Sequence, residues 1–191
     1  YVARMGANGA VTYSGSTYNT GTFSETNITR TGATENDRGY NLLSNPYPST
    51  VSWDNAGKTN IGTTLWYRTH QATTMLYDTY NATSLLGTNN NGNGAVNGDV
   101  LPAQAFWVRV PTDGLTGALS FTDAMRSHAG WSSIYKQGAE EGTVRMTLSN
   151  GNVSDETIIL FNSESQNSFE DYDSQKFWAA ASVPQLYTTT G

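Results

Sequence analysis

Short apolar or alternating runs recur along the chain, each bounded by Gly, Asn, Asp, Ser or Pro. They predict strands at Val2–Met5, Val11–Ser14, Phe23–Thr29, Tyr40–Ser44, Leu65–Arg68, Met75–Tyr80, Ala105–Val110, Ala118–Phe121, Val144–Leu148 and Thr157–Phe161. In Val144-Arg145-Met146-Thr147-Leu148 the apolar residues alternate, which predicts one buried and one wet face. Ile158-Ile159-Leu160-Phe161 is apolar throughout, which predicts a central strand covered on both faces. Asn150-Gly151 lies between these two runs and predicts a tight turn joining an antiparallel pair. Pro46, Pro48, Pro102, Pro111 and Pro184 all fall outside the strand interiors, as the missing N–H requires. Helical signals are confined to Ser163–Phe177, where Ser165 or Ser168 could cap and Glu170 and Asp171 follow; at most a turn or two is expected there.

Composition strengthens this picture. Ser, Thr and Asn make up about a third of the 191 residues, and strong helix formers are scarce. The expected fold is one all-β unit, an antiparallel β-sandwich of jelly-roll-like form spanning residues 1–191. There is no Cys, which removes disulfide scaffolds, thiolate metal sites and thiol nucleophiles. Net charge is −6, and the ten Lys and Arg residues are scattered. No nucleic-acid partner is therefore expected, since phosphate neutralisation needs clustered cations. No apolar run approaches the ~20 residues of a membrane helix, so no membrane insertion is expected. Tyr1-Val2-Ala3-Arg4-Met5 already reads as a strand, which suggests a module cut from a longer, multi-domain precursor.

Candidate chemistry is sparse. Asn89, Asn91, Asn93, Gly94 and Asn97 have the spacing of an EF-hand-type calcium loop, but the closing twelfth position is Val100 and the only acid is Asp99. A long Asn/Gly connection is the better reading, and no metal or cofactor is expected. Only His70 and His128 could serve a triad, and neither lies in a hydrolase motif. Each reads as a surface histidine. Asp155 and Glu156 are neighbours on a predicted strand and so face opposite sides. Asp171 and Asp173 are expected to bond loop amides. No catalytic residue is assigned.

Five Trp and eleven Tyr are many for this length. Trp66 and Trp107 lie inside apolar runs and are expected in the core. Trp53 and Trp131 lie between runs and are the candidate carbohydrate-stacking residues.

One block is more specific. Gly39-Tyr40-Asn41-Leu42-Leu43-Ser44-Asn45-Pro46-Tyr47-Pro48-Ser49 resembles the "GWNLvGNPYPS" signature of large secreted and cell-surface proteins of Bacteroidetes exported by the type IX pathway. Trp53-Asp54 follows at the spacing seen there. Further blocks agree in order. Leu101-Pro102-Ala103-Gln104-Ala105-Phe106-Trp107-Val108 resembles "IpagQGFfV", and Asp155-Glu156-Thr157-Ile158-Ile159 resembles "DEtvI". Phe169 to Lys176 resembles "fD..yDa.K", and Val183-Pro184-Gln185-Leu186-Tyr187 resembles "iPqLYs". Ser44 and Ala105 depart from the pattern by replacing Gly, so neither position should need a positive φ.

Physically, Asn45-Pro46-Tyr47-Pro48 predicts an extended exit from the strand at Tyr40–Ser44. Asn41 and Asn45 should bond local backbone, and Tyr47 should fold back as a plug. These five residues (Asn41, Asn45, Pro46, Tyr47, Pro48) form a structural signature. The resemblance implies a non-catalytic module on the bacterial cell surface or in the extracellular space. Its role would be adhesion, spacing or assembly, with neighbouring modules or copies of itself as partners, assembly including polymerisation into surface fibres by exchange of strands at the chain ends. The second expectation is a carbohydrate-binding module of a polysaccharide-degrading protein, with surface polysaccharide as its partner.

Overall fold

The computed structural model describes residues 20–71, 73–90, 96–127 and 142–189. The predicted strands at Val2–Met5 and Val11–Ser14 lie outside them. The described strands are β1 (Phe23–Thr29), β2 (Tyr40–Ser44), β3 (Thr50–Ser52), β4 (Gly57–Thr59), β5 (Thr64–Gln71), β6 (Thr74–Asn81) and β7 (Leu86–Gly87). After these come β8 (Asp99–Val100), β9 (Ala105–Arg109), β10 (Thr116–Phe121), β11 (Arg126–Ser127), β12 (Thr143–Ser149) and β13 (Ser154–Leu160). The chain is all-β, and every pairing among the described residues is antiparallel.

The largest sheet has the order β2-β9-β5-β6-β7. Its β5–β6 pair runs in unbroken register from Thr64↔Asn81 to Gln71↔Thr74. Two smaller sheets, β1-β10-β4 and β11-β3-β8, face it. The core lies between: Leu65, Tyr67, Tyr80, Phe106 and Val108 from the large sheet meet Ile28, Leu119, Phe121, Val51 and Val100 from the small ones. Phe106 bridges the layers, edge-on to Trp53 at 5.8 Å and to Phe121 at 6.5 Å. The result is a β-sandwich whose second layer is split in two.

Pleating puts alternate residues of the large sheet on the other face. Trp66 lies directly opposite Trp107 across β5–β9, while Tyr40 and Tyr77 sit on the same face in β2 and β6. These aromatics point away from the sandwich core.

The β12–β13 hairpin stands apart as a two-stranded sheet. Asn150 sets its turn: the side-chain Oδ1 accepts the N–H groups of Asn152 and Val153, both at 3.0 Å, and Gly151 takes φ 91°. The predicted antiparallel pair is therefore present. Its predicted burial is not. Among the described residues Ile158–Leu160 pair only with β12; they are half-buried, and Phe161 is 68% exposed. The apolar face of β12 is open as well, with Val144 and Leu148 more than two-fifths exposed, while Arg145 on the other face is half-buried. A run of apolar residues fixes strand type but not which layer covers it.

Residues 163–177 form turns and extended chain without helix. Asn162 closes the first turn, accepting Glu164 N–H on Oδ1 at 2.9 Å, and Asp173 Oδ2 accepts Glu170 N–H at 3.0 Å. These side-chain bonds replace the i→i−4 ladder that Ser165 or Ser168 would have capped. The only helical element among the described residues is a 3₁₀ turn at Asp123–Met125.

Candidate functional site

Gly39 opens the corner with φ 83°, and its Cα lies so close to the Val110 carbonyl that a Cβ would stand 2.3 Å from the oxygen. Asn41 Nδ2 donates to the Thr29 and Gly39 carbonyls at 2.8 and 2.9 Å. Asn45 is 5% exposed and fully engaged. Its Nδ2 donates to the carbonyls of Ser49 (2.7 Å), Val100 (3.0 Å) and Leu101 (3.1 Å), and its Oδ1 accepts Tyr47 N–H at 2.8 Å. Pro46 and Pro48 hold the chain outside any ladder as it bends toward β3. Tyr47 folds inward to 3% exposure; its hydroxyl donates to the Gly21 and Phe121 carbonyls and accepts Phe23 N–H at 3.3 Å. The Arg126 guanidinium stacks over the ring at 5.3 Å. The corner thus ties β2, β8, β1 and β10 together, as a plug and not as a reactive centre. Ser44 and Ala105, the two departures from the glycines of the signature, are direct cross-strand partners at the far end of β2–β9, and neither has positive φ.

Trp53 is not a surface platform. It is fully buried, donates Nε1–H to the Thr63 carbonyl at 2.7 Å, and carries the Lys58 ammonium over its ring at 4.4 Å. A residue between strands can still turn inward when the loop closes over the open end of a sandwich. Trp131 and His128 lie outside the described residues, as do Asn91, Asn93 and Gly94.

The outer face of the large sheet holds what sequence reading missed. Phe177 packs among Tyr77 (4.1 Å) and Tyr40 (4.5 Å), both edge to face, and Trp107 (5.7 Å) and Trp66 (6.4 Å), both tilted. It belongs to an extended strap, residues 171–189, laid across the sheet. Trp66 Nε1–H donates to the Gln175 carbonyl at 3.0 Å, and Asn81 Nδ2 to the carbonyls of Asp171 and Asp173 at 2.9 and 3.1 Å. Lys176 pairs with buried Asp155, which also accepts Leu186 N–H at 2.7 Å. Val183 joins Leu76 and Val153 in a small second core. Phe177 begins the short run Phe177-Trp178-Ala179-Ala180, which has no strand alternation, so only tertiary contact reveals this role.

Ionisable groups pair locally, most densely around Arg30. His70 lies exposed on β5, and Asp155 and Glu156 take separate partners, Lys176 and Arg145. Arg30 and Arg109 share Glu35 at 2.5 and 3.1 Å, and Asp113 joins Arg30 at 2.5 Å. The Arg30 guanidinium holds the Asp113 and Glu35 carboxyls below their ordinary range. Burial raises Asp78 to about 7, although Asn90 N–H donates to it at 2.6 Å. Burial lowers Lys58 to about 8. Asp54 and Asp99 come near one another, and burial with Asp54's charge raises Asp99. Among the described residues no group of three His, Cys, Asp or Glu converges as metal ligands. None of their helices is long and apolar enough to cross a membrane.

One cleft of about 350 Å³ opens between β6–β7, β13 and the strap. Thr79, Asn81, Thr88, Thr157, Gln166 and Ser174 are among its walls, with Tyr77, Tyr172 and Tyr187 beside them.

A family model described as "Domain of unknown function (DUF8693)" matches residues 4–190. The chain belongs to this family. Corner, strap and cleft all lie within the matched span, so the DUF8693 unit includes both layers, the hairpin and the covering segment. No curated protein and no solved structure matches the chain.

Proposed function

We propose that the chain is a non-catalytic β-sandwich module of an extracellular or cell-surface protein, serving adhesion, spacing or assembly. One observation carries this: the most distinctive block of the sequence, from Gly39 to Ser49, commits the side-chain amide groups of Asn41 and Asn45 and the Tyr47 hydroxyl to bonds within the fold. Chemistry that specific, directed wholly inward, is what a scaffold needs. The hairpin supports an assembly role. Val144 and Leu148 present an open apolar strip on β12. Such a strip can pack against a neighbouring module or a second copy. With 14% charged residues, shape and apolar contact rather than electrostatic steering would select that partner.

The test combines light scattering across a concentration series with turnover assays on glycosides and esters. Assembly that grows with concentration, is lost in the Val144→Lys/Leu148→Lys double variant, and comes with no turnover is the expected result. A monomer at every concentration leaves spacing as the role. Turnover proportional to the amount of chain overturns the proposal.

A further inference from the structure

We propose that the cleft between β6–β7, β13 and the strap binds a short, uncharged saccharide. This goes beyond the scaffold role and does not depend on it. Four observations converge. First, the size fits: about 350 Å³ lies at the small end of the ~300–1,000 Å³ typical of small-molecule sites. Second, the walls offer hydrogen-bonding groups the fold has not used. The Thr157 hydroxyl and the Gln166 and Gln175 amides line the cleft and make no side-chain hydrogen bond among the described residues. Glu156 is similar: its Oε1 accepts Arg145 at 2.8 Å and Asn89 N–H at 3.0 Å, while Oε2 stays open. Hydroxyl and amide groups in both donor and acceptor roles match a ring of hydroxyls.

Third, among the described residues the walls offer no free cation. Lys176 pairs with Asp155, while Glu156 pairs with Arg145 and Asp173 accepts Glu170 N–H. An anionic ligand would meet the Asp173 carboxylate without a cation to hold it, and the net charge of −6 disfavours anions further. Fourth, aromatic rings lie at hand for the C–H faces of a sugar. Tyr172 and Tyr187 line the cleft; Tyr187 is 51% exposed and held edge to face by Trp178 at 5.1 Å. Trp178 is itself 43% exposed. The platform expected at Trp53 is thus absent, and an aromatic rim stands instead on the strap. The strap closes one wall, so its docking through Phe177 builds the site.

Calorimetric titration of the full chain with cellohexaose, xylohexaose, maltohexaose and laminarihexaose tests this, with oligogalacturonate as the anionic arm. Saturable binding of at least one neutral oligosaccharide is expected. Tyr187→Ala and Thr157→Val/Gln166→Ala should each weaken it about tenfold or more, with melting temperatures within a few degrees of the parent chain. Absence of binding by all four neutral sugars overturns the proposal. So does binding unchanged in both variants, which places the site elsewhere, or a preference for oligogalacturonate. Should a variant fail to fold, Gln175→Ala takes its place, because it keeps the carbonyl that Trp66 uses.

Discussion

The corner at Asn45–Ser49 and the strap at residues 171–189 both fasten one part of the chain to another, by opposite means. The corner buries its polar groups and satisfies each of them: Asn45 alone reaches three carbonyls and one N–H. The strap relies on the Phe177 plug, Val183, the Lys176–Asp155 pair and a few bonds to its main chain, and leaves Trp178 and Tyr187 about half in solvent. Buried, fully bonded polar groups specify a unique geometry and are costly to disturb. A strap held by apolar contact can present new side chains at its surface without loss of the fold. Tightly specified architecture and surface chemistry therefore sit on different elements.

Substitutions can break this contrast. Asn45→Ala leaves several buried carbonyls and a buried N–H without partners, and about 3 kcal/mol of global stability should go, read as a large drop in the denaturant midpoint. A loss below about 1 kcal/mol would mean the corner tolerates disorder. Phe177→Ala should cost about 2 kcal/mol, less than a fully buried Phe because the plug is only half-buried. Its signature is local: limited proteolysis should cut within 171–189 while the sandwich stays intact. Cleavage at the corner instead would show the two regions to be one cooperative unit.

Two tyrosines sharpen the same point. Tyr47→Phe removes a hydroxyl bonded to the Gly21 and Phe121 carbonyls and should cost about 1.5 kcal/mol. Tyr67→Phe removes a buried hydroxyl that has no partner, and should be neutral or gain up to ~1 kcal/mol. Thermal melts of the pair should move in opposite directions or differ clearly in size.

The effect expected at Asp78 is the one that depends on pH. Its carboxyl titrates near 7 in the folded chain through burial, against ~3.9 when unfolded. Between these values the folded state holds a proton the unfolded state has released. Stability from this group therefore falls as pH rises from about 4 to 7, and is lost above 7. Asp78→Asn removes that dependence, so the variant should gain on the parent chain by about 3 kcal/mol between pH 5 and pH 8. A constant difference across that range would mean the carboxyl is ionised throughout.

Much of the β architecture was legible in the residues. Phe23–Thr29 and Tyr40–Ser44 are strands with the boundaries the pattern predicts, and Leu65–Arg68 and Met75–Tyr80 lie inside longer ones. The Asn45-Pro46-Tyr47-Pro48 corner was legible too, because proline geometry and local amide bonding act within a few residues. Strands of two or three residues, such as β7, β8 and β11, escaped, since so short a run has no period to read.

Local chemistry determined where this chain extends and where it turns. Only the packing of distant segments decided which faces meet water. Alternation says that two faces differ, not which one is covered, and so the apolar side of β12 stands open while Trp53 is sealed inside. Phe177 became the centre of an aromatic cluster because the sheet placed Tyr40, Trp66, Tyr77 and Trp107 on one outer face. Burial is a property of pairs of surfaces, and the partner surface lies a hundred residues away along the chain from Trp66.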